Sequence, residues 1–222
     1  MAKAPPAPPQ VSVVVPVYDE EGAAPALARE IAEAFRGRNF EILFVDDASR
    51  DGTREALRAL SAEIPELRVL AHRHNSGQSR AIRSGVLAAR GDIILTLDGD
   101  GQNDPADGPG LVDALLGGPA ELGMVGGERV KRQDSSAKRF ASKFGNGVRK
   151  RLLKDTANDT GCGLKAFRRE AFLRLPYFDH IHRYLPAMML REGYEVAFQP
   201  VNHRHRQTGR SKYTNQIGRA HV

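Results

Sequence analysis

The 222-residue chain has no tryptophan and a single cysteine, Cys162. One thiol excludes an internal disulfide and leaves a thiolate metal cluster without ligands, in keeping with a reducing compartment. No apolar run approaches the roughly 20 residues needed to cross a bilayer. The opening MAKAPPAPPQ lacks the apolar stretch of a secretory signal. Its prolines predict a disordered lead-in over residues 1–10, and the chain is expected to stay on the cytoplasmic side. Glycine-rich phosphate loops are missing too. No Gly-x-Gly-x-x-Gly follows the first apolar run and no Gly-x-x-x-x-Gly-Lys occurs, which argues against a dinucleotide turn and a P-loop.

Each half of the chain is also poor in one sign of charge. Residues 1–128 carry 12 basic against 20 acidic side chains, and residues 129–222 carry 21 basic against 7 acidic. An acidic half suits cations or sugar hydroxyls, and a basic half suits phosphates. Nucleic acid is the weaker partner: five Tyr, nine Phe and no Trp leave few aromatic platforms for stacking bases.

What is present is alternation. The β-branched runs Val11–Tyr18, Phe40–Asp47, Leu67–His72 and Asp92–Asp98 read as buried strands. Between them, Leu27, Ile31 and Phe35, then Leu57 and Leu60, then Ile82, Val86 and Leu87 recur at helical spacing. Strands alternating with helices predict an α/β fold with a mostly parallel, Rossmann-like sheet flanked by helices. Ligands of such sheets gather beyond the carboxyl ends of the strands, and the polar clusters YDEEG, DDASRDGT, HRHNSGQSR and DGDGQNDP each follow a strand. Further on, LGMVGGERV and GLKAFRR read as strands, residues 138–153 as a basic helix, RYLPAMMLREG as a helix stopped by Gly193, and YEVAFQPVNH as a last strand.

The acidic turns carry the chemistry. Tyr18, Asp19, Glu20 and Glu21 would repel a phosphate but can accept hydrogen bonds from a base or ribose. Asp46 and Asp47, at the end of an apolar run, need donors, because one unpaired buried carboxylate costs several kcal/mol. Asp46 is assigned to a ligand; Asp47 is either a ligand group or a turn and capping residue. Asp98 and Asp100 repel each other unless something positive sits between them. A hard divalent cation, Mg²⁺ or Mn²⁺, bound by their oxygens and the amide of Gln102, resolves the repulsion. Phosphoaspartyl transfer would place such a pair after the first strand and follow it with threonine, which this chain does not do. Cys162 is favoured as small-residue packing, and the His-x-His pairs as solvated or phosphate-facing rather than zinc ligands. Asp159 either forms a turn or positions an acceptor, and Arg149, Lys150 and Arg151 suit anionic head groups.

VPVYDEEG, VDDASRDGT, NSGQSRAIRSG, LDGDGQNDP, DTGCGLKAFRR, HRYLP and GRSKY, in this order from Val11 to Tyr213, resemble family 2 glycosyltransferases, and more narrowly the polyprenyl-phosphate glycosyltransferases of the dolichol-phosphate-mannose synthase type. The resemblance implies a single GT-A domain over residues 11–213, with a nucleotide-sugar and metal half at 11–128 and a basic acceptor half at 129–213. It implies inverting transfer of a sugar from a UDP- or GDP-sugar to a polyprenyl phosphate, with Mg²⁺ or Mn²⁺, at the cytoplasmic membrane face. By the same resemblance Pro16, Tyr18, Glu20, Asp46 and Arg80 contact the nucleotide, with Asp98 the nucleotide contact of the metal site and Asp100 and Gln102 its direct ligands. Arg129, Arg139, Arg206, Ser211 and Lys212 meet phosphates of the acceptor or the diphosphate, and Asp98, Asp100, Arg129, Arg206 and Lys212 form the catalytic set. Members that act on hydroxyls carry a Glu-Asp base and a Gln-x-x-Arg-Trp motif. This chain has no Glu-Asp dipeptide and no tryptophan, which favours a phosphate acceptor over a soluble glycan. Residues 214–222 are expected to begin a tail leading to membrane segments beyond this sequence.

Overall fold

A computed structural model describes residues 7–129 and 161–204. Seven strands form one sheet: β1 (Val11–Val17), β2 (Phe40–Asp46), β3 (Leu67–Ala71), β4 (Ile93–Thr96), β5 (Leu122–Arg129), β6 (Lys165–Arg168) and β7 (Glu195–Val201). Their order is β3-β2-β1-β4-β6-β5-β7. All neighbouring pairs are parallel except β6, which runs antiparallel to both β4 and β5. The expected mostly parallel sheet is therefore what the chain forms. The antiparallel turn of β6 goes beyond the sequence reading.

The helices are α1 (Ala24–Ala34), α2 (Thr53–Leu60), α3 (Gln78–Ala88), α4 (Gly108–Gly117), α5 (Arg169–Arg174) and α6 (Ile181–Arg191). They cover both faces of the sheet. On one face Leu27, Ile31, Phe35, Leu57 and Leu111 pack against Val13, Val15, Phe44 and Leu95. On the other, Ile82, Val86, Phe172, Leu185 and Met189 pack against Val14, Leu43, Val45 and Ile94. Alternate residues of β1 thus feed opposite cores, the signature of a strand buried on both sides. Leu87, read as part of the buried stripe of α3, is instead 55% exposed. It follows Val86 by about 100° around the helix axis, which carries it off the core face.

After β3 the chain returns across β1 to form β4, so the order of connections reverses between β2 and β4. A crevice opens at such a switch point beyond the carboxyl ends of the strands. β4 pairs with β1 only from Val11 to Val14, leaving that flank of Val15–Val17 unpaired. Pro16 lies in the unpaired part, where a missing N–H takes no bond from the ladder.

Candidate active site

A cavity of about 980 Å³ occupies this crevice. Pro16, Tyr18, Glu20, Asp47 and Asn75 line one end, Asp98, Asp100 and Gln102 the middle, and Arg129, Lys165, His182, Arg183 and His203 also face it. The volume is at the upper end of the range for small-molecule sites.

The first-strand turn is laced to the second. Glu20 N–H donates to Thr53 Oγ1 at 2.9 Å, Asp19 N–H to Ser49 Oγ at 2.9 Å, and Arg50 N–H to Asp19 Oδ1 at 2.6 Å. Asp51 accepts from Thr53 N–H at 3.0 Å and so opens α2. These bonds fix the turn that brings Tyr18 and Glu20 to the cavity wall.

The two adjacent aspartates differ in their surroundings. Asp46 is fully buried, and its carboxylate accepts from Ser49 N–H at 3.0 Å and Arg54 Nε at 2.7 Å. It pins its own turn and does not line the cavity, so the ligand role assigned to it is corrected. Asp47, one residue on and turned to the other side of the strand, lines the cavity. Its oxygens accept from His72 Nδ1 at 2.7 Å, Ser76 N–H at 2.8 Å and Gly77 N–H at 2.7 Å. That clamp fixes the loop between β3 and α3, and α2 is opened by Asp51 rather than Asp47.

Arg80 also departs from expectation. α3 begins at Gln78, whose amide Nε2 donates to Asp98 Oδ1 at 2.7 Å. Arg80, two residues along a helix, points about 200° away. Its guanidinium is exposed and lies 5.6 Å from the centre of the Tyr177 ring, outside the cavity lining. Gln78 takes the inward position that the sequence reading gave to Arg80.

Asp98 is the most constrained group of the site. Burial pushes its carboxyl above the usual carboxylate range, the negative charge of Asp100 pushes it further, and Lys165, the Gln78 amide and Arg129 pull it back only in part. The negative charge of Asp100 is thus one of the two causes that raise Asp98, after burial. Gly163 presses on the same carboxylate: a Cβ there would lie 2.3 Å from Asp98 Oδ2. Gly99 is required by contact rather than by side-chain freedom, since a Cβ would meet Pro16 O at 2.7 Å. Asn103 Oδ1 accepts from Asp98 N–H at 3.0 Å and Asp100 Oδ1 from Gln102 N–H at 3.1 Å, which shape the turn.

The segment after β7 closes over this turn. Arg204 N–H donates to Gln102 O at 2.8 Å, Arg204 Nη2 to Asp104 Oδ1 at 2.6 Å, and Asn202 N–H to Asp107 Oδ2 at 2.7 Å. His203 is carried to the cavity by these contacts. Among the described residues no three of His, Cys, Asp and Glu converge tightly enough to hold an ion alone. A hard cation that keeps water and substrate phosphate in its shell needs fewer protein ligands. Asp98, Asp100 and the Gln102 amide line one cavity, and their oxygens fit such an ion.

Lys165 faces the acidic wall from β6. It is 6% exposed, and its Nζ donates to Cys162 O. A lysine is almost never buried this far without a partner, and it is the signal that sequence reading overlooked in GLKAFRR. Cys162 is buried and accepts weakly from Asn103 Nδ2, in line with a packing role. His182, at the start of α6, shares a 2.7 Å hydrogen bond through Nδ1 with Ser79 Oγ. Of the expected phosphate contacts Arg129 reaches the cavity; Arg139, Arg206, Ser211 and Lys212 lie outside the described residues, as do Asp159 and the basic run Arg149–Arg151.

A twisted, mostly parallel sheet with one antiparallel strand, and an Asp-x-Asp turn at the switch point, define the GT-A class of glycosyltransferase folds. Comparisons agree. The model of glycosyl transferase family 2 matches residues 12–175, and the chain belongs to that family. An undecaprenyl-phosphate 4-deoxy-4-formamido-L-arabinose transferase of Shewanella sediminis is 37% identical over 207 residues, covering 91% of this chain and 61% of that protein. The same-named protein of Pseudomonas aeruginosa strain LESB58 is 38% identical over 208 residues, covering 92% and 60%. This chain thus spans about three fifths of the length of these relatives. Among solved structures, a mannosyltransferase from Pyrobaculum calidifontis in complex with GDP-Man and Mn²⁺ superposes with a TM-score of 0.68 at 22% identity, covering 92% of this chain and 60% of that one. Glucosyl-3-phosphoglycerate synthase of Mycobacterium tuberculosis, in complex with phosphoglyceric acid, gives 0.71 at 22% identity, covering 90% and 73%.

Proposed function

We propose that this chain transfers a sugar, with inversion, from a UDP- or GDP-sugar to the phosphate of a polyprenyl phosphate at the cytoplasmic face of the membrane, with Mg²⁺ or Mn²⁺. The observation that carries the reading is the gathering of opposite charges in one cavity, Asp98 and Asp100 with Lys165 and Arg129. The relatives named for undecaprenyl phosphate support the acceptor class.

In this reading Tyr18, Glu20 and Asn75 hold the nucleoside. Asp98, Asp100 and Gln102 hold the cation, which when bound neutralises the diphosphate and favours its departure. As the glycosidic bond to the diphosphate breaks, negative charge grows on that diphosphate, and Lys165 and Arg129 are placed in the same cavity to stabilise it. Removing one such preorganised group typically costs about 3 kcal/mol in the barrier, a hundredfold or more in rate. A phosphate acceptor is already an anion near neutral pH, so no general base is needed to activate it.

Contact with an anionic bilayer has its own support beside the cavity. Tyr177, Phe178 and Tyr184 are 38%, 37% and 42% exposed, and Arg80 and Arg83 lie 5.6 and 5.3 Å from the centre of the Tyr177 ring. Aromatic rings with arginines suit the headgroup layer, even with Asp179 in the same loop. Among the described residues no helix is long and apolar enough to cross a membrane.

The test is a transfer assay with radiolabelled nucleotide-sugars, offering a short-chain polyprenyl phosphate in detergent against water-soluble sugar acceptors. The reading expects label in the lipid phase that depends on the cation. Label only in soluble glycan would overturn the acceptor assignment.

A further inference from the structure

The cavity lining extends from Asp98 to a recess beside α3 and α6, where the apolar neighbours Ala81, Ile82, Phe167, Phe172, Ile181 and Leu185 are core residues at most 6% exposed. His182 is the imidazole of this recess. It sits in the first turn of α6, and its one hydrogen bond to the rest of the protein runs through Nδ1 to Ser79 Oγ at 2.7 Å. Ser79 directly follows Gln78, the residue whose amide binds Asp98. His182 is thereby tied to the residue next to the one that holds the Asp-x-Asp turn, and it lines the same cavity. We infer that His182, set by Ser79, presents Nε2 to a hydroxyl of the donor sugar and is a sugar-positioning and specificity-determining residue. The inference rests on the donor reading above.

The chemistry favours a hydroxyl over a phosphate as its partner. Fixing one ring nitrogen on Ser79 leaves the other as a single donor or a single acceptor, and a hydroxyl can meet either. A phosphate is served better by a cation. Burial, then the positive charges of Lys165 on β6 and of Arg183 and His180 on α6, hold the ring neutral down to about pH 3. No titratable side chain of α3 joins them at the ring, where Ser79 is the contact.

The experiment measures Kd by calorimetry, with Mn²⁺ present, for UDP, GDP, UDP-glucose, UDP-N-acetylglucosamine, UDP-L-arabinose and GDP-mannose on wild type, His182→Ala, His182→Gln and Ser79→Ala. The wild type is expected to prefer one nucleotide-sugar over its own nucleoside diphosphate. In His182→Ala that preference falls about tenfold, the size of one hydrogen bond to a ligand, while the Kd of the nucleoside diphosphate stays within twofold. His182→Gln recovers part of the preference, Ser79→Ala loses part of it, and in wild type it stays flat from about pH 5.5 to 8. An unchanged preference in His182→Ala, or equal loss for sugar and nucleoside diphosphate, overturns the role of His182 and leaves the donor reading intact. No binding of any nucleotide to the wild type overturns the donor reading, and the inference with it.

Discussion

Replacing Gly163 by alanine tests how tightly the site is built around Asp98. The added Cβ would stand 2.3 Å from Oδ2 and 2.5 Å from Cγ of Asp98, where ordinary contact begins near 3.4 Å, so one partner must yield by about 1 Å. The glycine loop has little freedom to retreat: Gly163 O accepts from Thr96 Oγ1 at 3.1 Å, and the neighbouring Cys162 is buried and holds Lys165 through its carbonyl. The carboxylate therefore moves, and the 2.7 Å bond from Gln78 goes with it. Overpacking of this kind costs about 1–3 kcal/mol of stability. A displacement of 1 Å at a reacting centre can cost about a hundredfold in rate. The expected outcome is a protein that still melts cooperatively, that gains little from a nucleoside diphosphate with Mn²⁺ in a thermal-shift assay, and that transfers sugar about a hundred times more slowly. Wild-type stabilisation and transfer within twofold would refute the claim that Gly163 sets the position of Asp98.

Three further outcomes are expected. Asp98→Asn should raise the melting temperature of the ligand-free protein at pH 7 while abolishing cation-dependent stabilisation by nucleotide. The carboxyl's folded pKa is raised, so its contribution to stability is present below the unfolded value and lost as pH rises through the folded one; the amide removes that loss. His182, lowered to about 3, behaves in the opposite sense. The unfolded chain takes up a proton below about pH 6.5 that the folded chain refuses, so denaturant titrations should show the wild type losing about 1.4 kcal/mol per pH unit more than His182→Gln below that point. Finally, Arg80→Glu combined with Arg83→Glu should weaken sedimentation with phosphatidylglycerol vesicles at least tenfold, given about 1 kcal/mol per basic side chain at such a surface, with nucleotide binding unchanged.

Strands β1, β2 and β4 were legible because each is a short apolar run buried along nearly its whole length, and local pattern suffices to mark it; β3, at the sheet edge, is only partly buried. Helix α4 was not legible. Its sequence GPGLVDALLG opens with two glycines around a proline, and only packing of Leu111, Val112 and Leu115 against the sheet compensates for poor propensity. The direction of β6 depends on pairing with β4 and β5, far away along the chain. At the site, Tyr18, Glu20, Asp98, Asp100 and Gln102 were readable because each follows a strand end. Gln78, Lys165, His182 and His203 come from α3, β6, α6 and the segment after β7, and only the closed fold brings them to one cavity. That Asp47 and Gln78, rather than Asp46 and Arg80, line the cavity turns on which way a side chain points. That depends on where a strand or helix starts, to within one residue, a precision that local pattern lacks.

The central claim is that Asp98 and Asp100 gather a nucleoside diphosphate through a hard cation. Calorimetric titration of UDP and GDP into the wild type and into Asp100→Ala, each with Mn²⁺ and with EDTA, tests it most directly. The account predicts that one of the two nucleotides binds the wild type only with Mn²⁺ and binds Asp100→Ala at least tenfold more weakly. Equal affinity with and without the cation, or an Asp100→Ala protein that binds as the wild type does, would contradict it.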